Sequence, residues 1–319
     1  MTAILVGALS LSAVFLYGCV GEIITEKAGN LNLGIPGIMC MGTFGGCWAV
    51  SIYMGSFNAN PQWIFIVLFG VMGAVLFGAL GGAIYSFLTN TLHCNQNITG
   101  LALTTFGGGF TQFFMDNYVD KTFFDLASKI LKAKLPFADS LGWFGEVFLS
   151  YGVLLYLAIA IAIITAIFLK RTKSGLHLRA VGENPATADA AGINVSGYKY
   201  GAILIGSGIA GIGGFFYIMD YIGGSWENAS TIEAFGWLSV ALVIFTLWRP
   251  NLSILGSIIF AALYILAFKI VGVSFTGTAI LNLLPYIITI VVLIITSAAG
   301  SKNVQPPASL GLNYFREDR

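Results

Sequence analysis

The stretch QWIFIVLFGVMGAVLFGALGGAIYSFL, residues 62–88, decides the fold class of this chain. It lies within the longer segment Ala28–Met115, which contains no Asp, Glu, Lys or Arg. A helix needs about 20 consecutive apolar residues to cross a hydrocarbon core about 30 Å thick, so this segment is long enough for several crossings. We therefore expect a membrane protein built from helices.

The composition of the whole chain agrees with this expectation. Of its 319 residues, 57% are hydrophobic and 9% are charged, whereas a soluble domain carries roughly 25% charged residues. This balance excludes an intrinsically disordered chain, a nucleic-acid binder and a soluble enzyme. It predicts a protein that crosses the cell membrane several times. The net charge of +1 says little about partners.

Nine apolar runs predict an all-α membrane protein with about nine transmembrane helices, in a range of roughly eight to ten. The first run, Ala3–Gly21, lacks the basic start and the cleavage site of a signal peptide, so we expect it to remain as a helix. The runs near residues 97 and 235 give the weakest signals. The other runs are Leu33–Ser56, Gln62–Leu88, Asn97–Met115, Val147–Leu169, Tyr198–Met219, Phe235–Trp248, Leu252–Val271 and Ala279–Ala298.

Basic residues indicate the direction of the spans. The loop at residues 170–199 is rich in Lys and Arg, which places it on the cytoplasmic side. Counting from this loop, the N-terminus lies outside and the C-terminus inside. The membrane domain then covers residues 1–300, residues 116–146 form an outer loop, and residues 301–319 form a cytoplasmic tail. The basic residues of the cytoplasmic loop are Lys170, Arg171, Lys173, Arg179 and Lys199.

The outer loop has the apolar spacing of a short amphipathic helix between Phe123 and Leu131. Two interpretations remain open at this point. The helix rests on the membrane surface, or it forms a docking surface for an extracellular partner.

Several motifs of enzymes are absent from the sequence. No GK dipeptide occurs, so the phosphate-binding GxxxxGK[ST] loop is missing and this chain does not hydrolyse ATP itself. No HExxH motif occurs, and His93 and His177 are the only histidines. We therefore predict no catalytic residue and no metal site. The four cysteines are expected to be reduced, without a disulfide framework.

A GxGxxG pattern at Gly206, Gly208 and Gly211 resembles a dinucleotide fingerprint but lies inside an apolar span. Small residues at this spacing allow membrane helices to approach closely, and Gly78 and Gly82 form a second such pair. We therefore interpret both groups as helix contacts.

Ionisable residues inside the spans would mark an ion or proton pathway. In this chain they occur only near span ends, at Glu22, Glu146 and Lys269. This pattern disfavours a secondary transporter driven by an ion gradient. It leaves that alternative open, because Glu22 and Glu26 could titrate.

The cytoplasmic loop contains strong local signals for a short helix. Asn184 suits an N-cap, Pro185 the first helical position and Gly192 a left-handed C-terminal cap. These residues predict a helix of about two turns over Pro185–Ala191. Such a short helix is marginal alone in water. It is either an ordinary capped loop or a helix that packs into a cytosolic partner.

The segment LRAVGENPATADAAGINV, Leu178–Val195, resembles the loop that inserts a coupling helix into the ATPase subunit in one family of ABC importer permeases. These importers carry simple sugars, nucleosides and branched-chain amino acids. The resemblance extends to GNLNLGIPGIMCMGTFGG, Gly29–Gly46, and to Gly236–Leu263, so it covers most of the chain. The chain looks most like the shorter of two permeases that pair in nucleoside importers served by basic-membrane-protein lipoproteins. A riboflavin importer is also similar.

The resemblance implies that this chain forms half of a translocation pore with a second, non-identical permease. An ABC ATPase subunit would bind ATP and Mg²⁺, this chain would bind no cofactor, and an extracellular lipoprotein would deliver the substrate. Internal inverted repeats are implied as well. Asn32 matches a family segment near the cytoplasmic end of a span. The positions that match the coupling loop are Glu183, Asn184, Pro185, Ala188, Ala191, Gly192 and Ile193.

A nucleoside pathway needs aromatic and small polar side chains without strong charge, and the run Thr99–Phe114 offers both beside a glycine triplet. The alternative is plain helix packing, with threonine hydroxyls bonded to the backbone. Import of riboflavin or a simple sugar, ion-coupled transport and a scaffold role also stay open. Together with Asn32, the candidate path residues are Thr104, Thr105, Phe106, Phe110 and Gln112.

Overall fold

The computed structural model describes residues 2–57, 60–134, 140, 142–269, 277, 280–281, 283–299 and 305–315. Throughout these residues the regular structure is helical, with 13 α-helices and two π-helical turns and without a strand. The all-α architecture expected from the sequence is confirmed. Parts of the expected outer loop, of the last two spans and of the tail 301–319 lie outside the described residues.

The helices alternate between long apolar segments and short connecting ones. The first six are α1 (Thr2–Lys27), α2 (Ile35–Phe57), α3 (Trp63–Ser86, continued by a π-turn, Phe87–Thr91), α4 (Gln96–Tyr118), α5 (Phe124–Leu131) and α6 (Gly142–Phe148). The remaining seven are α7 (Val153–Arg171), α8 (Lys173–Glu183), α9 (Pro185–Ala190), α10 (Val195–Phe216, continued by a π-turn, Tyr217–Tyr221), α11 (Ser230–Phe245), α12 (Pro250–Lys269) and α13 (Leu284–Ala299).

Five helices are long and apolar enough to cross a membrane, namely α1, α2, α3, α7 and α10. Helices α11, α12 and α13 contribute shorter apolar segments. Helix α4 has 23 residues but a more polar composition, with several Thr, Gln and Gly residues. The expected multi-pass membrane architecture therefore rests on five clear spans and on shorter or more polar helices that complete the bundle.

Backbone-to-backbone contacts at glycines join α10 to α1, α2 and α3. A methyl group added to Gly42 would lie 2.2 Å from the Cα of Gly211, and one added to Gly21 would lie 2.3 Å from the carbonyl oxygen of Gly206. One added to Gly78 would lie 2.5 Å from the carbonyl oxygen of Ser207. The GxGxxG pattern is thus a helix-packing surface, as predicted from its position in an apolar span.

Helix α4 packs against α2 in the same way. A methyl group added to Gly107 would lie 2.3 Å from the carbonyl oxygen of Gly37. Toward the other end of α4, a cluster of aromatic rings fills the space among α2, α3 and α4, with Phe44 at 5.0 Å from Phe77 and 5.4 Å from Phe110. Aromatic pairs at these separations stabilise by about 0.5–1.5 kcal/mol beyond their buried area. One side of α4 is therefore fixed to the bundle.

Helix α5 is the short amphipathic helix expected in the outer loop. Its Phe124 and Leu131 side chains are buried, while Asp125 and Lys129 form an exposed ion pair at 2.6 Å. The following Lys132 Nζ donates to the Tyr221 carbonyl oxygen at 3.2 Å. These contacts dock α5 on the end of the helix formed by α10 and its π-turn.

Candidate functional site

Local capping shapes the loop at residues 170–199. The Asn184 side-chain oxygen accepts a hydrogen bond from the Thr187 N–H at 3.0 Å, and Pro185 occupies the first turn of α9. Gly192 has a φ of 81°, and its N–H donates to the Asp189 carbonyl oxygen at 2.9 Å. A left-handed residue at this position closes the end of a helix. The predicted helix is therefore present, and α9 ends one residue earlier than expected.

The two faces of α9 differ in exposure. Ala188 is only 4% exposed and packs in a small apolar cluster with Val181 and Val195. Its side chain therefore holds α9 on this chain, whereas the neighbouring candidates remain accessible to a partner. The exposed candidates are Glu183, Asn184, Ala191 and Gly192, and Pro185 and Ile193 are half-buried.

The end of α8 lies directly against the end of α1, a contact that sequence reasoning missed. A methyl group added to Gly182 would lie 2.3 Å from the Lys27 carbonyl oxygen and 3.2 Å from the Gly29 N–H nitrogen. No side chain can separate these backbones without moving one of them. The signal in the sequence was a glycine within VGENP, which alone does not indicate its contact. The loop at residues 170–199 and the end of α1 are therefore in direct backbone contact.

Asn32 lies in the turn between α1 and α2 and is fully buried. Its backbone N–H donates to Glu22 Oε1 at 3.0 Å, and its side-chain oxygen accepts from the Gly34 N–H at 2.9 Å. The Trp248 indole N–H donates to the Glu26 carboxylate. Asn32 and Glu22 therefore hold this turn, whereas Glu26 connects the end of α1 to the segment between α11 and α12. Asn32 remains a predicted path residue, and its side chain is fully buried in this structure.

The candidate path residues on α4 divide between two faces. Thr104 is buried, and its hydroxyl donates to the Leu33 carbonyl oxygen at 2.8 Å. Thr105 and Phe106 are exposed, with Phe106 52% exposed, and the Thr105 hydroxyl donates to the Leu101 carbonyl oxygen at 3.3 Å. Phe110 is half-buried in the aromatic cluster. The threonine-to-backbone bonds considered as the alternative are therefore present, while Thr105 and Phe106 also face outward.

The outer end of α4 carries a polar network around Gln112. The Gln112 amide donates to Asp116 Oδ2 at 2.5 Å, and its oxygen accepts from the Ala229 N–H at 2.9 Å. Asp116 Oδ1 accepts from the Trp226 indole N–H at 2.8 Å, and Lys121 lies 3.5 Å from the same oxygen. Asp116 and Trp226 were missed as candidates because they are 110 residues apart. The network connects α4 to the segment that precedes α11.

Gly108 of α4 is also in direct contact with the Glu233 side chain of α11. A methyl group added to Gly108 would occupy the position of the Glu233 carboxylate. The glycine triplet of α4 thus has three different surroundings: Gly107 meets α2, Gly108 meets α11, and Gly109 has open space. Helix α4 therefore combines a packed side with an accessible one that carries aromatic, small and polar residues.

The chain is similar to permeases of ABC transporters over most or all of its length. Over 317 residues the chain is 29% identical to the nucleoside ABC transporter permease protein NupC of Lactococcus lactis subsp. cremoris, covering 98% of this chain and 96% of that protein. It is 26% identical to the guanosine ABC transporter permease protein NupQ of Bacillus subtilis, covering 100% and 98%. It is 32% identical to the putative glucose ABC transporter permease protein TsgC13 of Haloferax volcanii, covering 79% and 73%.

A family model covers nearly all of the chain. Residues 4–296 match the model described as "Branched-chain amino acid transport system / permease component". This range contains the glycine-packed bundle, the capped loop and both ends of α4. The chain therefore belongs to this permease family and is a membrane-embedded transport subunit of an ABC importer.

Proposed function

We propose that this chain is a permease for nucleosides. The observation that carries the proposal is its similarity along nearly its full length to two permeases named for nucleoside and guanosine transport. The likeness to a putative glucose permease covers a smaller share of the chain. A simple sugar or riboflavin is the alternative cargo.

We further propose a pore made of two different permeases, with this chain as one half. Helix α4 joins the five long and three shorter apolar helices to give nine spans, since its 23 residues rise about 35 Å. The side of α4 that carries Thr105, Gly109 and Gln112 would be poorly suited to lipid, so this side faces the second permease and the pathway.

The proposed topology follows the sequence prediction. The N-terminus lies outside, residues 170–199 and the tail 301–319 lie in the cytoplasm, and residues 116–146 face the extracellular lipoprotein. The two halves of the membrane domain 1–300 form inverted repeats.

Coupling to ATP starts at α9. The exposed Glu183, Asn184 and Ala191 meet the partner ATPase, which binds ATP and Mg²⁺. Movement of α9 and α8 then reaches α1 through Gly182, which abuts Lys27. The turn after α1 holds α4 through the bond from Thr104 to Leu33. ATP-driven motion of the loop is thereby linked to the helix that lines the path.

The accessible side of α4 suits a nucleoside. The exposed Phe106 and Phe113 rings present faces on which a base can stack. The Gln112 amide, already bonded to Asp116 and Ala229, retains one N–H and one lone pair for a ribose hydroxyl. The side chains of Phe106, Phe113 and Gln112 are themselves uncharged, so they hold a neutral cargo weakly enough to release it.

Uptake of labelled guanosine and uridine into cells with and without this chain tests the proposal. Unlabelled ribose, riboflavin and other nucleosides serve as competitors, before and after ATP depletion. We expect uptake that depends on the chain and on ATP and that only nucleosides compete. Competition by ribose or riboflavin alone would move the cargo to that class, and chain-dependent uptake without ATP would indicate an ion-coupled transporter. If uptake of every compound is the same with and without this chain, a scaffold role would remain.

Two substitutions and one control substitution, measured in the same cells, connect nucleoside uptake to the proposed path and coupling surface. Phe106→Ala should reduce nucleoside uptake, whereas Ile164→Ala, which truncates an exposed residue of α7, should not. Ala191→Trp adds bulk to the exposed side of the α9 end and should lower uptake by blocking the ATPase. Equal uptake by all three variants would contradict both the path and the coupling surface.

A further inference from the structure

Residues 305–315 run across the ends of several helices, and we refer to them as the C-terminal strap. The Ser309 N–H donates to the Gly182 carbonyl oxygen at 3.0 Å, and its hydroxyl donates to the same oxygen at 2.5 Å. The Gly311 N–H donates to the Gly29 carbonyl oxygen at 3.1 Å. The strap therefore connects the end of α8 to the turn after α1.

The far end of the strap is fixed to the turn between α3 and α4. The Asn313 amide donates to the His93 carbonyl oxygen at 2.7 Å, and the Phe315 ring lies 4.6 Å from the His93 ring. Gln96, in the first turn of α4, donates to Asn313 Oδ1 at 3.3 Å. The oxygen of the same Gln96 side chain accepts from the Leu31 N–H at 2.8 Å. This buried glutamine joins the strap, the turn after α1 and the start of α4.

Tyr314 connects the strap to α9. Its hydroxyl donates to Asp189 Oδ2 at 2.8 Å, and its ring packs on the cluster that contains Ala188. Asn313 and Tyr314 are adjacent in the chain, yet one is bonded to the α3–α4 turn and the other to α9. A bond to a carboxylate is among the stronger hydrogen bonds in proteins. The strap thus connects α9 to the α3–α4 turn across a single peptide unit.

We propose that the C-terminal strap is a positioning element of the coupling machinery. It holds the six-residue helix α9 in place and transmits its displacement to the start of α4. A helix this short has little stability of its own, so its position depends on what it is packed against. The strap acts beside the direct contact of Gly182 with α1 and gives α4 a second connection to the loop. This inference rests on the proposed coupling to an ATPase and not on the identity of the cargo.

The first test compares transport with ATP hydrolysis in the full complex with its ATPase and second permease in liposomes. Tyr314→Phe removes only the hydroxyl that binds Asp189. We expect the amount of cargo moved per ATP hydrolysed to fall by about fivefold to tenfold, as the loss of one bond to a carboxylate allows. Asp189→Asn retains an acceptor and should keep most of the ratio. Leu312→Ala, which truncates a side chain that is 61% exposed, is the matched control and should change nothing.

A second measurement does not require the cargo to be known. Spin labels at the exposed positions Ala190 and Leu92, in a Cys94→Ser background, report the distance from α9 to the α3–α4 turn with and without ATP. We expect a narrow distance distribution in both states, because the two sites move together, and a broadened one in Tyr314→Phe. A variant that keeps both the transport ratio and the narrow distribution would overturn the proposal.

The remaining outcomes are distinguishable. If Tyr314→Phe releases the ATPase from the solubilised complex, the strap is a docking element and the proposed transmission is wrong. If nucleosides are not transported but the label distances behave as expected, the cargo proposal fails and the strap proposal stands. Transport by the wild-type chain that continues without ATP would overturn the coupling and the strap together.

Discussion

Helices α4 and α7 both expose one side, and the two exposed sides differ in chemistry. On α7 the exposed residues near the middle are Ile163, Ile164 and Ile167. On α4 the corresponding surface combines Thr105, Phe106 and Gly109. Aliphatic residues are at no disadvantage against lipid tails, whereas small and polar residues favour contact with another helix or with water. The comparison supports the proposal that α7 faces the lipid and that α4 faces a protein partner and the transported molecule.

The largest expected difference between α7 and α4 is in the yield of inserted protein when an aspartate is placed on the exposed side of each helix. An aspartate at the centre of a lipid-facing helix costs about 2.5–3.5 kcal/mol on insertion scales, so Ile164→Asp should greatly reduce the yield of inserted, monodisperse protein. Thr105 also lies near the middle of its helix but on the side proposed to face the pathway, so the yield of Thr105→Asp should stay near that of the wild type. Yield after membrane extraction and size-exclusion chromatography measures both. Equal losses would mean that α4 also faces lipid.

The capped loop was predictable because its signals are local. Asn184, Pro185 and Gly192 lie within nine positions of one another, and each has a backbone preference that does not depend on the rest of the chain. The amphipathic spacing of α5 is local in the same sense. Long-range contacts carry no such signal: Asp189 and Tyr314 are 125 residues apart, and no periodicity links them.

The candidate path residues on α4 could be chosen from the sequence only as a group. Composition identified the run Thr99–Phe114 as a combination of aromatic and small polar residues beside a glycine triplet. Adjacent residues of a helix point about 100° apart, so Thr104 is buried while Thr105 is exposed. Which of the two faces outward depends on where α2 packs. That position is set by the contact of Gly37 with Gly107, which involves residues far apart in the sequence.

Substitutions of two glycines in α4 test where its packed side ends and its accessible side begins. Gly107→Val should destabilise the protein by about 1–3 kcal/mol or prevent folding, because the side chain would collide with the Gly37 carbonyl oxygen. Gly109→Val, two residues away, meets open space and should leave thermal stability in detergent nearly unchanged. A similar loss of stability in both variants would show that α4 is packed on all sides.

Filling the accessible side should affect transport without affecting the fold. Gly109→Leu adds bulk where α4 is exposed, and we expect uptake to fall by at least about tenfold, which corresponds to about 1.4 kcal/mol. Ala160→Leu adds similar bulk to the exposed side of α7 and is the matched control, with normal uptake expected. Thermal stability is measured in parallel for both. Reduced uptake in the α7 variant would remove the distinction between the two surfaces.

The smallest expected effect concerns the outer end of α4. Trp226→Phe removes the indole N–H that donates to Asp116, and Asp116→Asn removes the charge of the acceptor. Asp116 is solvent-exposed and also accepts from Gln112, so each change should cost only about 0.5–1.5 kcal/mol of unfolding free energy. In a double-mutant cycle the cost of the double variant should be smaller than the sum of the two single costs, because Trp226→Phe removes the bond that Asp116→Asn weakens. Additive costs would show that Trp226 and Asp116 act independently, and the outer end of α4 would then be held to α11 mainly through Gln112 and Ala229.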